Sequence, residues 1–233
     1  MLDIRNDADA QAQRPSLVEG AYDALKEAIR NNVFPPGYQG SEQEIASQLG
    51  MSRTPVHEAI IRLQEEGLVR VLSRRGVLVC PISPEDMREI YEVIIALESA
   101  SSELLAEKPA AEREPVADEL EEVNARMQSA LAKDDLVGWA KADERFHQLL
   151  VERSGNGRLA RMFHTIMDQS HRARMLTLRL RPRPVASVAE HRAIVAAIRQ
   201  GDAATARERA KQHRVGARNQ LLPLLSQLGM RHL

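Results

Sequence analysis

The stretch at residues 41–67 limits the possible folds of this chain more than any other part of the sequence. Apolar residues at helical spacing predict a short first helix, and Gly50 ends it because glycine adopts positive φ without steric cost. Ser52 is a favourable N-cap for a second helix, and Pro55 is tolerated in the first turn of that helix. Two helices with a tight corner predict a helix-turn-helix, although an ordinary helical hairpin has the same pattern.

Alternating valines follow this motif on both sides of residues 73–76, which contain two arginines and a glycine. The period of two predicts a β-hairpin with a basic tip, and a helix at about residues 16–32 precedes the motif. Three helices followed by such a hairpin predict a winged helix at residues 16–80. Residues 1–15 are polar and lack periodicity, so we expect a mobile N-terminal arm there.

Only helical patterns follow Ser83, which can cap a new helix that begins at Pro84. Proline, glycine and aspartate separate the helices predicted at about residues 84–107, 115–133, 136–154, 158–180, 187–200 and 202–228. Six helices with short connections predict an antiparallel bundle at residues 84–228. The predicted fold class is therefore mainly α, with an N-terminal winged helix-turn-helix and a C-terminal six-helix antiparallel bundle.

Composition excludes several classes of protein. Aromatic residues make up only 3% of the chain, which argues against a nucleic-acid surface built from stacked rings. The formal net charge of −1 means that any DNA contact must come from a local basic patch. A single cysteine, Cys80, excludes an internal disulfide and fits a reducing compartment. The longest aliphatic run is far shorter than the ~20 residues of a membrane helix, and the N-terminus lacks a signal-peptide core, so we expect a cytoplasmic protein.

Polar residues interrupt the apolar faces of three predicted bundle helices. Asp143 and His147 lie four residues apart on one face, and His191 and His213 occupy similar positions on two later helices. A lone histidine on such a face is more often a hydrogen-bonded core residue than a ligand. Three histidines with an aspartate instead favour a divalent transition metal such as Zn, Ni, Mn or Fe, because burying an unpaired carboxylate is costly.

Such a metal site leaves three functions open. A metal ion with free coordination positions can activate water, so one alternative is a metal-dependent enzyme acting on a small carboxylate, with an appended helical hairpin. Against it, Glu144 and Glu190 are direct neighbours of the ligands and point about 100° away from them, which leaves no separate general base. A purely structural dimer with ordinary core histidines is the other alternative. A non-enzymatic DNA-binding sensor is favoured because the metal site shares its chain with a DNA-binding motif.

The chain resembles a known family of regulators over about residues 16–220. The segment from Ala21 to Val79 resembles the winged-helix domain of GntR-family transcription regulators. The later part resembles the FCD effector domain of the FadR-type subfamily. The matching motifs are Leu49-Gly50-Met51-Ser52-Arg53-Thr54, Arg62-Leu63-Gln64-Glu65-Glu66-Gly67, Arg74-Arg75-Gly76, Tyr91-Glu92-Val93, Leu97-Glu98, Asp143-Glu144-Arg145-Phe146-His147 and Glu190-His191-Arg192-Ala193-Ile194. Six bundle helices rather than seven resemble the VanR-type branch.

The resemblance implies a homodimer that binds a palindromic double-stranded DNA operator and a small organic acid as effector, without a membrane partner. It also implies a metal held by an aspartate and three histidines, at positions that match Asp143, His147, His191 and His213. We predict DNA contacts at Gln43, Ser52, Arg53, Thr54, His57, Arg62, Arg74, Arg75 and Gly76.

Departures from the family pattern affect both predicted binding sites. Gln43 and His57 stand where the family often has arginine, so Arg53 should carry more of the base recognition. Ile94 stands where the family commonly has an arginine that clamps the effector carboxylate. Substitute cations are predicted on the fourth bundle helix, at His171, Arg172 and Arg174. The alternative is that these three residues only cover the bundle surface.

Overall fold

The computed structural model describes residues 16–229, so the mobile arm predicted at residues 1–15 lies outside the described residues. The chain divides after Cys80 into two compact units. The predicted fold class is confirmed, since the first unit is a winged helix with a small antiparallel sheet and the second is a bundle of six helices. No helix within residues 16–229 is both long and apolar enough to cross a membrane.

The first unit is built from three helices and three short strands among its described residues. They are α1 Leu17–Arg30, β1 Gln39–Gly40, α2 Glu42–Gln48, α3 Arg53–Glu65, β2 Val69–Leu72 and β3 Gly76–Val79. Both early helices begin at serine caps: Ser16 Oγ accepts the Glu19 N–H at 3.1 Å, and Ser41 forms a reciprocal capping box with Glu44. Gly50 has a φ of 66°, which ends the α2 region and makes the corner before α3.

The sheet has the strand order β1-β3-β2, and both pairings are antiparallel. The predicted hairpin is present, with Val69 opposite Val79. The sequence did not predict β1, because a strand of two residues is too short to show a period. Gly76 has a φ of 85°, and a Cβ at this position would collide with the Gly40 carbonyl. Glycine is therefore needed here for β1 and the wing to approach each other.

One apolar core lies between α1, α2, α3 and the sheet. Its largest fully buried side chains are Leu25, Ile29, Phe34, Ile45, Ile60, Leu63 and Leu68. Ile60 and Leu63 point inward from α3, and Arg53 and His57 remain exposed on the same helix. The periodic apolar stripe thus fixes which face of α3 is presented to solvent.

The second unit contains six helices in its described part. They are α4 Pro84–Glu107, α5 Ala110–Ala132, α6 Leu136–Glu152, α7 Gly157–Thr177, α8 Val185–Gln200 and α9 Ala203–Gln227. The predicted start of α5 was wrong, because the helix begins at Ala110 and contains Pro115. A proline inside a helix removes one hydrogen bond. Burial of Val116, Ala117 and Leu120 directly after it offsets that loss, so packing overrides local propensity.

The largest apolar cluster of the bundle joins the end of α4 with α5, α6, α8 and α9. Phe146 and Leu150 enter it from α6, and Ile194 and Ile198 enter it from α8. These residues lie one turn from the polar residues that interrupt the same faces. The packing that buries the apolar stripes therefore also buries the aspartate and the histidines.

Ile60→Ala is expected to lower the free energy of unfolding by about 2–5 kcal/mol, because Ile60 is fully buried and the truncation leaves a cavity. Its neighbour Ile61 is 44% exposed, so Ile61→Ala is the matched control and should cost roughly 0.5 kcal/mol. Urea unfolding followed by far-ultraviolet circular dichroism measures both losses. Equal losses in the two variants would contradict the packing of α3 described above.

Candidate nucleic-acid interface and metal centre

The N-terminal end of α3 presents a group of exposed polar side chains. Arg53, Thr54 and His57 are exposed on its first turns, and Ser52 precedes them as the N-cap. The Ser52 side chain makes no capping hydrogen bond. Free N–H groups and the helix dipole favour an anion at such an end, so the arrangement suits a phosphate backbone.

Glu42 holds two of these side chains in place. Arg53 Nε donates to Glu42 Oε2 at 3.1 Å, and His57 Nδ1 lies 2.8 Å from Glu42 Oε1. The hydrogen bond from His57, with a smaller contribution from Arg53, holds the pKa of Glu42 below its usual value despite partial burial. Because the carboxylate engages only Nε of Arg53, the terminal nitrogens of that side chain face outward from this contact. The sequence pattern did not single out Glu42.

Arg62 lies elsewhere on α3. Its Nη1 donates to Glu19 Oε2 at 2.8 Å, and its guanidinium lies 3.7 Å from the centroid of the Tyr22 ring. Both partners belong to α1, so Arg62 joins α3 to α1 rather than joining the exposed group at the helix start. A DNA contact at Arg62 stays a prediction that this placement does not favour.

The remaining predicted contacts lie on α2 and on the wing. Gln43 is exposed on α2, and Arg74 and Arg75 are exposed at the tip of the hairpin. Arg74 has a φ of 60°, the left-handed conformation that short hairpin loops often require. The presence of glycine at position 76 is explained by its close approach to Gly40, which leaves no space for a side chain.

The second unit brings the four predicted metal ligands together. Asp143 and His147 lie one turn apart on α6, and His191 and His213 come from α8 and α9. All four are buried, and one possible ligand atom from each lies within 4.8 Å of the others. Asp143 Oδ1 is 3.7 Å from His147 Nε2 and 3.8 Å from His191 Nε2. His191 Nε2 is 3.1 Å from His213 Nε2.

The donor set fits a divalent transition metal. His147 Nε2 is buried and, among the described residues, has no hydrogen-bond partner. A buried polar atom without a partner is costly, and a cation between the four groups would satisfy it. Burial lowers the pKa of His191 well below its usual value and also lowers the pKa of His213. Both rings are therefore neutral near pH 7, the form that binds a metal.

Two carboxylates outside the cluster orient the histidines. Glu98 on α4 lies 2.9 Å from His147 Nδ1, and Glu190 lies 2.7 Å from His213 Nδ1. Each contact turns Nε2 of the ring towards the cluster. The expectation that Glu190 points away from its neighbour His191 is compatible with this geometry. The sequence analysis missed that Glu190 reaches a histidine on a different helix.

His191 is oriented by ring packing. Its ring is parallel to that of Phe146, with an interplanar angle of 3° and 3.9 Å between the centroids. Among the residues that the structure describes, its Nδ1 has no hydrogen-bond partner. Phe146 was visible in the sequence as a neighbour of His147, but its contact with α8 depends on how the helices pack.

Glu98 also forms a buried ion pair with Arg214. Arg214 donates from Nε to Glu98 Oε2 at 2.8 Å and from Nη2 to Oε1 at 2.5 Å. Burial raises the pKa of Glu98, but the charges of Arg214 and His147 outweigh it and hold that pKa at about 2. Glu98 appeared in the sequence only as part of a family motif, and Arg214 carried no signal beyond its position next to His213.

A cavity of about 150 Å³ adjoins the cluster. Asp143 and His213 line it together with Arg174, Arg181 and Tyr91. Arg174 Nη1 donates to Asp143 Oδ2, the oxygen that the cluster does not use. Burial raises the pKa of Asp143, but the charges of Arg174 and then of His147 outweigh it and hold that pKa well below its usual range.

Only one of the four predicted effector residues lines this cavity. Arg174 does, whereas Ile94 is fully buried in an apolar cluster with neighbours such as Phe163. His171 and Arg172 are buried away from the cavity lining, and His171 Nδ1 lies 3.1 Å from Glu144. The effector role of these residues stays a prediction. The alternative that His171, Arg172 and Arg174 only cover the bundle surface does not fit their burial.

A winged helix followed by a helical bundle with a buried polar cluster is the arrangement of a DNA-binding transcriptional regulator. Two family models match the chain: the gntR family of bacterial regulatory proteins at residues 17–79 and the FCD domain at residues 89–215. The chain therefore belongs to the GntR family of transcriptional regulators, in the group with an FCD domain. Its place in the VanR-type branch stays a prediction.

Relatives agree with this assignment. The chain is 52% identical over 151 residues to an uncharacterised HTH-type transcriptional regulator in the TAR-I ttuE-ttuC′ intergenic region of Agrobacterium vitis; the match covers 65% of this chain and 86% of that protein. It is 29% identical over 193 residues to the uncharacterised HTH-type transcriptional regulator YdhC of Bacillus subtilis, and the match covers 82% of this chain and 83% of that protein. The fold resembles that of E. coli McbR/YncC, with a TM-score of 0.75 and 21% sequence identity. The match covers 92% of this chain and 99% of that one. The Agrobacterium vitis and Bacillus subtilis relatives are both named as HTH-type transcriptional regulators, so the alternative of a metal-dependent enzyme is not supported.

Glu98→Gln is expected to lower the free energy of unfolding by about 3–5 kcal/mol, because it leaves Arg214 buried without a charged partner. Replacing both residues, Glu98→Gln with Arg214→Leu, should recover part of the loss. Glu121→Gln is the control, since its pair with Arg192 is exposed and should contribute less than about 1 kcal/mol. Urea unfolding followed by the fluorescence of Trp139 measures these differences, and a loss in Glu98→Gln no larger than the control would be inconsistent with the buried pair.

Proposed function

We propose that this regulator responds to a small organic acid that binds beside a divalent transition metal in the bundle, and that it acts as a homodimer on a palindromic DNA operator in the cytoplasm. The observation that carries the proposal is the buried cluster of Asp143, His147, His191 and His213 next to a cavity, in a chain that also has a winged helix. Sensor and output are thus part of one polypeptide.

The exposed start of α3 supports a DNA contact through the major groove. Within residues 16–229, the contact with Glu42 uses only Nε of Arg53 and leaves the terminal nitrogens available to read guanine, while Glu42 limits the directions in which the side chain can point. Gln43 is exposed on α2 and has an amide suited to adenine. Arg74 and Arg75 at the wing tip suit phosphate contacts, which position a protein without reading sequence.

The bundle site supports metal-assisted recognition of an acid. Asp143 and the three histidines would hold the ion, for which Zn, Ni, Mn and Fe all remain suitable. A bound ion supplies a positive centre with coordination positions open to a carboxylate. Arg174 keeps Asp143 charged and oriented, and Glu98 and Glu190 keep two of the histidine rings turned towards the cluster.

Effector control requires two states of the dimer that differ in their affinity for the effector. The two recognition helices must match half-sites about 34 Å apart, so a small change in their spacing alters DNA affinity. A coupling of roughly 1–3 kcal/mol is typical for such a link.

Arg53→Ala should weaken binding to an operator that the wild-type protein selects from a random DNA library. We expect a loss of about 10–100-fold, because a base-reading arginine contributes roughly 1–3 kcal/mol. Fluorescence anisotropy with labelled DNA measures the affinities. Arg192→Ala, which changes an exposed arginine of the bundle, is the control and should leave the affinity unchanged. Unchanged affinity in Arg53→Ala would show that α3 does not read DNA through this residue.

His147→Ala should lower the metal affinity of the purified protein at least about tenfold, because even supporting residues of metal sites contribute that much. Metal content after dialysis against Zn²⁺, Ni²⁺ or Mn²⁺ is measured by mass spectrometry. His164→Ala is the matched control, since His164 is half-exposed on α7 and lies outside the cluster. The metal proposal fails if the wild-type protein retains none of these ions, or if both variants retain the ion equally.

A further inference from the structure

Four arginines line the cavity beside the metal cluster. Arg183 is half-exposed, and its Nη2 lies 3.9 Å from a carboxylate oxygen of Asp134. The other three are more buried, and their charges are balanced differently. Arg174 pairs with Asp143, and Arg214 pairs with Glu98 through two hydrogen bonds. The positive charge of each of these side chains is therefore compensated by a buried carboxylate. The third arginine, Arg181, differs from them in its surroundings.

Arg181 lies just beyond the end of α7 and lines the same cavity. Its Nε donates to Thr177 Oγ1 at 3.0 Å, and its side chain hydrogen-bonds to Tyr91. Its Nη2 is buried and, within residues 16–229, has no hydrogen-bond partner. Both named partners are neutral hydroxyl groups, so no carboxylate compensates this guanidinium at hydrogen-bond distance in the described structure.

The surroundings of Arg181 disfavour its charged form. Burial, and then repulsion from Arg174, lower the pKa of Arg181, while Tyr91 and the more distant Asp143 act in the opposite direction. A buried cation with an unused hydrogen-bond donor is costly unless an anion binds it. Since Arg181 lines the cavity, an anionic ligand there can contact its guanidinium, and the buried Nη2 is available to the ligand once the side chain turns.

The charge balance of the cavity indicates how many charges such a ligand carries. The pairs Arg174–Asp143 and Arg214–Glu98 are each neutral. A divalent ion and Arg181 together add three positive charges, and Glu190 beside His213 supplies one negative charge. Two negative charges are then needed to make the occupied site neutral.

We propose that Arg181 is the specificity-determining residue of the effector site and that it selects small acids with two carboxylates over acids with one. The inference rests on the proposed function, because it takes the metal cluster as the place where the first carboxylate binds. Arg181 then receives the second carboxylate, and its planar fork suits a bidentate contact. It supplies a cation to the cavity although the position of the family's clamping arginine is Ile94, which is buried in the core.

The test compares pairs of acids of equal length by isothermal titration calorimetry with metal-loaded full-length protein. The pairs are malonate with propionate, succinate with butyrate, and glutarate with pentanoate. In the wild-type protein, at least one dicarboxylate should bind about tenfold or more tightly than its monocarboxylate partner, as expected for one additional charge-assisted contact. Comparable binding within every pair, or no binding of any dicarboxylate, would overturn the proposal.

Three variants assign the preference to the residue. Arg181→Gln should reduce the preference for the dicarboxylate to roughly twofold or less, and Arg181→Lys should restore part of it because it keeps the charge without the fork. Arg179→Gln removes a charge from an exposed side chain in the same turn, outside the cavity lining, and should keep the full preference. A preference that persists in Arg181→Gln would show that another group selects the ligand.

Metal content and operator affinity, measured on the same preparations, separate this inference from the proposed function. A wild-type protein that holds metal and binds its operator, but does not distinguish the acids, contradicts only the role of Arg181. A wild-type protein without metal contradicts the proposed function itself, and the role of Arg181 that depends on it. The fluorescence of Trp139 during thermal unfolding confirms that each variant is folded.

Discussion

The buried contact between Glu98, Arg214 and His147 is the interaction on which the bundle site depends. It joins α4, α9 and α6, and every one of its charged groups is shielded from water. Without Arg214, burial would favour the protonated form of Glu98, which accepts a hydrogen bond from His147 less strongly. The orientation of His147 on α6 towards the cluster therefore depends on an arginine that belongs to α9. The arrangement of the candidate metal site therefore depends on this ion pair as well as on its four candidate ligands.

Buried polar groups of this kind are costly for stability and useful for specificity. Apolar residues in these positions could give a bundle that is at least as stable. The attraction within a buried ion pair offsets the free energy lost by removing both charges from water only when the geometry is good. The bundle nevertheless concentrates three carboxylates, four arginines and three histidines in and around one cavity. Such a concentration is typical of a binding site, where the protein retains charges that a ligand and an ion can complete.

The winged helix uses a carboxylate in a similar way, but near the surface. Glu42 contacts both Arg53 and His57, which are largely exposed. Because water screens such a pair, its contribution to stability is small. Its effect is on orientation, since it restricts a long side chain that is predicted to contact DNA, and such restriction reduces the entropy lost on binding. His57 takes part in this contact through Nδ1, which lies 2.8 Å from Glu42 Oε1.

The sequence by itself determined the two-part architecture, because helical and strand periodicity depend on residues close together in the chain. It also identified the four candidate ligands, because Asp143 and the three histidines are polar residues at positions where the helical pattern expects apolar ones. It did not reveal the contacts between helices. The partnership of Glu190 with His213, the engagement of Arg62 with α1, the burial of Ile94 and the position of Arg181 in the cavity were decided only by the tertiary structure. The physical reason is that periodicity defines which face of a helix is buried, whereas helix packing defines which side chains on neighbouring faces meet.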